Sequence, residues 1–193
     1  MKTRISAALL AATLIATPAF GQAVPAAKVA VVDLERVGRD CTACKAASTA
    51  LQGQVTTFTN RRNQLVQSLQ PERTALQTAV NALNGKAPDA ALTARIQAFQ
   101  KKEADAQAEL ERSQQTIQRN QAYVSQQVNA KLAPLLQPAM DRRGANVLMD
   151  AGSAVRFGPA LDITNDVLAA LNSALPSVVT TAPAQAQQTP QGR

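Results

Sequence analysis

The chain has no histidine and no tryptophan, one tyrosine (Tyr123), and only two cysteines in 193 residues. Histidine is the commonest general base near neutral pH and the commonest metal ligand, so its absence removes much enzyme chemistry. Cys41 and Cys44 alone supply two of the roughly four ligands a zinc site needs, so no metal site is expected. Aromatics make up 3% of residues, too few for a large globular core, while alanine and glutamine are abundant. This is the composition of long helices and coiled coils, with no catalytic constellation and no cofactor motif.

Long hydrophobic runs are also scarce. The run at the start, ISAALLAATLIA (Ile5–Ala16), covers twelve residues, against the ~20 needed to span a bilayer. Lys2 and Arg4 precede it, and TPAFGQA follows with small residues placed for cleavage after Gly21 or Ala23. Residues 1–23 therefore read as a secretory signal peptide, and no cysteine near the cut suggests a lipid anchor. The mature protein is expected to be exported and soluble. The net charge of +7 falls to about +5 once Lys2 and Arg4 are gone. In an exported protein that charge points to acidic proteins, anionic lipid headgroups or lipopolysaccharide, and away from nucleic acid. A solvated helix surface accounts for it equally well.

The pattern along the chain predicts a mainly helical protein with a small β body. Val29–Val32 reads as a short strand buried on both faces; NVLMD (Asn146–Asp150) and AVRF (Ala154–Phe157) read as two more, with AGS turning between them. DITNDVLAALN predicts a helix capped by Asp162, with Ile163, Val167, Leu168 and Leu171 on one face. Between the strands, Leu51, Val55, Phe58, Arg62, Leu65, Leu69, Arg73, Leu76, Val80 and Leu83 follow one another in steps of four or three. That is a coiled-coil seam, and its register continues through Pro71, which predicts a kink without a break. NGKAPD (Asn84–Asp89) predicts a turn. The returning seam, from Leu92 through Ile96, Phe99, Ala106, Leu110, Ile117, Val124 and Val128 to Leu132, is interrupted by Glu103, Ser113 and Asn120. Pro134 and Pro138 are expected to bend or end that second helix.

The resulting division is a body from residues 24–44 and 142–175, a helical hairpin arm over 45–141 turning near 84–89, and a Pro/Gln/Ala/Thr-rich tail over 176–193 expected to be disordered. One thin seam and a few short strands bury little surface, so the strand-bearing base is expected to self-associate. Val29, Val31, Val147, Met149 and Val155 are the residues expected between subunits.

The ends of the mature chain resemble the Skp/OmpH family of periplasmic chaperones. KVAVVDLERV (Lys28–Val37) and NVLMDAGSAVRFGPALDITNDVLAALN (Asn146–Asn172) carry the resemblance; between them only the helical pattern matches. The resemblance implies a periplasmic homotrimer with a shared β-barrel-like core and three arms around a cavity. It implies an ATP-independent holdase that shields unfolded outer-membrane proteins before insertion. No catalytic motif defines the family, so no catalytic residue is carried over. Residues 45–143 hold 13 basic and 7 acidic side chains; Lys101, Lys102, Arg112 and Arg119 are the candidates for drawing in acidic clients. A structural or adhesin-like envelope coiled coil is the alternative reading.

The CxxC of Cys41 and Cys44 also raises a third possibility, an exported thiol oxidoreductase. Arg39, Lys45 and a helix N-terminus nearby would favour a thiolate. The rest of a thioredoxin-like fold has no place before a hundred-residue hairpin. Cα atoms three residues apart in a helical turn lie about 5 Å from each other, so a local disulfide is expected in an oxidising compartment.

Overall fold

A computed structural model describes residues 24–184; the candidate signal peptide, residues 1–23, lies outside the described residues. Two strands, β1 (Val29–Val32) and β2 (Val147–Asp150), pair in parallel with Val29 opposite Val147 and Val32 opposite Asp150. Parallel neighbours need a crossover connection. Here the crossover is α1 (Leu34–Asp40), α2 (Thr42–Asn81) and α3 (Ala90–Arg142), so the arm is an insertion within a single strand-to-strand connection. A final helix, α4 (Thr164–Ala174), closes the body.

α1 and α3 start where a side chain can satisfy the free amides of the first turn. The Asp33 carboxylate accepts from Arg36 N at the start of α1, and Asp89 accepts from Leu92 N at the start of α3. The arm turns through Asn84 (φ 46°) and Gly85 (φ 85°), left-handed conformations that asparagine and glycine tolerate best. At the end of α3, Gly144 (φ 63°) lets Ala145 N reach back to Met140 O, satisfying a terminal carbonyl. α2 runs unbroken through Pro71, and α3 runs through Pro134 and Pro138 to Arg142. All three prolines are exposed, so each ring faces solvent without disturbing the packed face.

The core lies where the arm meets the body. Ala30 and Val32 of β1 pack with Val37, Cys41, Ala139, Met140, Ile163, Val167 and Leu171. Helix ends therefore build most of this core, with α4 as the lid. Leu168 adds a partly buried contact, as the predicted apolar face requires. Asp162 sits one residue outside the cap position, accepting from Thr164 N. Thr164 is buried, and its hydroxyl oxygen accepts from Asp33 N, which ties the start of α4 to the end of β1. The Thr164 side chain, hydrogen bonded to Asp162, is the main reason that carboxyl is held below its ordinary range.

Three expectations change. Ala154–Phe157 is not a strand: Asp150 accepts from Gly152 N and folds Ala151–Ser153 into a 3₁₀ turn, leaving Val155 fully exposed with no strand beside it. The third neighbour in the sheet is Asp162, which bridges to Val31 on the edge of β1 away from β2. Val31 is consequently 1% exposed within one chain, so placing it between subunits was mistaken. Flanked on both sides, β1 is the centre of the sheet and not its rim. Lastly, the start of the tail is ordered by contacts. Residues 178–182 lie against the arm, with Val178 packed on the core, while 185–193 fall outside the described residues.

Cys41 and Cys44 are joined as a disulfide, Cα to Cα 5.1 Å, at the break between α1 and α2. Cys41 is the hinge residue, closing α1 through its N–H to Val37 O while its sulfur accepts from Cys44 N. Closing so small a loop contributes about 2 kcal/mol by the chain-entropy relation. Replacing both cysteines with serine should lower Tm by roughly 5 °C while leaving the helix content intact. An unchanged melting temperature would show that the bridge adds nothing to the packing around it.

Candidate functional site

The arm is the largest surface the fold presents, and its seam is thin. Between Ser48 and Lys131 only Leu76, Phe99 and Asn120 are buried. Other seam residues, including Leu51, Val55, Phe58, Leu65 and Leu69, are half-buried, and Val80 is exposed. Arg73 stacks over Phe99 at 6.0 Å and pairs with Glu103, so two polar interruptions of the seams answer each other across the hairpin. Further ties run from Lys102 to Glu72 at 2.6 Å, and from Arg61 to both oxygens of Glu109 at 2.6 and 3.0 Å. The bidentate Arg61 holds the Glu109 carboxyl below its ordinary range and is itself raised in return. These pairs are solvent-exposed, so they set the register of the helices more than they stabilise them.

The four candidate basic residues fare differently. Lys101 pairs along its own helix with Asp105, and Lys102 crosses to Glu72. Arg119 donates to Thr116 of the preceding turn, and Arg112 is exposed. Lys102 therefore helps set the register of α2 against α3, a role that its place in a basic stretch does not reveal.

Helical spacing puts Gln54, Asn120 and Gln127 on one flank of the seam and Gln52, Gln121 and Ser125 on the other. The second flank carries an open groove of about 410 Å³ near the body, lined by Leu51, Val55, Val124 and Val128. The first flank is covered by the chain's own residues 178–182. Gln127 accepts from Val179 N at 3.0 Å and donates to Val179 O at 2.8 Å. Gln54 donates to Thr180 O at 3.1 Å, and Asn120 accepts from Ala182 N at 2.9 Å. Asn120, 3% exposed, also donates to Gln54 at 2.9 Å, so both ends of this buried amide are satisfied. Nothing in the sequence reading pointed to this ladder. A buried-seam asparagine seven residues from a glutamine was the available signal.

At the other end, β2 is the rim of the sheet. Leu148 turns into the core, while Val147 and Met149, each 38% exposed, face outward, and Val29 beside them is half-buried. At the arm's root Cys41 is fully buried, whereas its disulfide partner Cys44, 9% exposed, lines the open groove near the body. Among the described residues no cluster of three or more metal-binding side chains occurs, and no helix is long and apolar enough to cross a membrane.

A small parallel sheet whose crossover projects as a long helical hairpin defines a helical-arm protein. The family model described as outer membrane protein (OmpH-like) matches residues 28–171, and the chain belongs to that family. The fold is similar to a solved OmpH-like structure from Caulobacter crescentus CB15. The TM-score is 0.68 at 20% identity, over 86% of this chain and 96% of that one. A search of curated proteins finds no match.

Proposed function

We propose that this chain is an ATP-independent periplasmic holdase, which binds unfolded outer-membrane proteins between helical arms and keeps them from aggregating. Membership of the OmpH-like family supports a chaperone role. The observation that carries the reading is the arm: two long helices joined by a seam with three buried residues along its free length. A holding chaperone must accept many sequences weakly and release them without fuel. Thinly seamed arms flex to fit clients of different size, and many weak contacts then add to a usable affinity.

In this reading three copies meet at the body. The unpaired edge of β2 and the outward Val147 and Met149 are a surface that a neighbouring copy would cover. The arms then stand around a common cavity whose walls carry a surplus of basic side chains over residues 45–143.

That surplus makes the salt dependence diagnostic. Raising ionic strength from ~0.01 to 0.15 M shrinks the screening length from about 30 to 8 Å, so capture of an acidic client should slow markedly. Affinity should fall less, because contacts within the cavity are short-range. Stopped-flow binding of an unfolded porin measures both. Changing Arg112 and Arg119 to glutamate should slow capture while leaving helicity unchanged. An association rate indifferent to salt would remove charge from the capture step.

A further inference from the structure

Resting on the chaperone reading, we propose that Gln54, Asn120 and Gln127 form a binding site for extended polypeptide backbone. Residues 178–182 of the chain occupy that site as an internal competitor for clients. The contacts carry this. All four hydrogen bonds from the ladder to the strap end on main-chain atoms: Val179 N and O, Thr180 O and Ala182 N. Gln127 meets Val179 through donor and acceptor together, the pairing that a neighbouring β-strand would offer. No strap side chain takes part in these bonds, so the ladder reads a chain irrespective of sequence. That is the recognition an unfolded client requires.

The strap's shape agrees. Gln127 and Asn120 are seven residues apart on α3, about 10.5 Å of rise. The strap covers that interval between Val179 and Ala182, and three residues span at most about 11 Å. It therefore runs extended, from the body towards the tip of the arm. Beyond it the same flank continues as a groove of about 690 Å³ reaching Phe58 and Ile117, with Thr181 at its near end. An incoming client segment finds apolar wall there and reaches the ladder by displacing the strap.

The full-length chain carrying V179P and A182P tests this, because proline removes both strap N–H donors. The probe is a fluorescently labelled peptide of residues 176–184, followed by anisotropy. If the strap fills the groove at least nine-tenths of the time in the natural chain, the variant should bind the peptide about tenfold tighter or more. Adding Gln127→Ala should remove most of that gain. A peptide N-methylated at the amides equivalent to 179 and 182 should not bind, whereas a peptide scrambled everywhere except Val178, which packs on the core, should bind within about threefold, since the ladder reads only backbone. Equal binding to natural chain and proline variant, or binding that survives N-methylation, overturns the proposal. Peptide binding without suppression of porin aggregation would refute the chaperone reading and leave the groove. Suppression without peptide binding would do the reverse.

Discussion

Val31→Asp should abolish folding of the body, whereas Val147→Asp should leave a folded chain that no longer self-associates. The two residues are two places apart in phase on paired strands, and both are apolar. Their surroundings separate them. Val31 is 1% exposed at the centre of the sheet, with Met149 on one side and Asp162 on the other, and its carbonyl accepts from Ile163 N. A carboxylate there has no partner, and an unpaired buried charge costs roughly 4 kcal/mol or more. Val147, at the rim and 38% exposed, can carry a carboxylate into water at little cost to one chain. Covered by a second copy, the same charge would be buried unpaired. Circular dichroism melts and sedimentation equilibrium separate the outcomes. A Val147→Asp protein that keeps its full oligomeric mass would rule out the β2 edge as the meeting surface.

The second large effect is expected far from the body. Phe99 and Leu76 are the only apolar side chains buried in the outer half of the arm. Phe99→Ala should cost about 3–5 kcal/mol, and that part of the hairpin has little else to hold it. Its contacts are separate from the core around Val37, Cys41 and Ile163, so the loss should stay local. Amide exchange across 72–107 should speed by about a hundredfold or more, with the body unchanged. Uniform acceleration through both regions would mean that the arm and body unfold as one unit.

How much of this was legible beforehand follows from the range of each interaction. The hairpin was open to reading because a seam repeats every three or four residues within a helix. Its register was readable too. A turn over 84–89 pairs residues whose numbers add to about 173, and Gln54 with Asn120 or Glu72 with Lys102 add to 174. With that register, Arg73 and Glu103 are partners, not two separate weak points in the seams. The strand at Val29–Val32 was plain from its β-branched run, but its central position was not. That depends on Asp162, over a hundred residues away, and no local pattern encodes such a bridge. AVRF misled because β-propensity favours any short run of this kind, while a side-chain turn at Asp150 and the Gly158–Pro159 pair decide otherwise. The tail misled for a similar reason. Its composition is that of a disordered segment, yet its main chain is held by three amide side chains of the arm.

That the arms hold unfolded clients is tested by light scattering as a porin is diluted out of denaturant beside the purified mature protein. A molar excess of the oligomer should suppress the scattering without ATP, and the porin should remain unfolded and bound. Scattering that rises as fast as in buffer alone would contradict the account and leave the molecule as a structural coiled coil of the envelope.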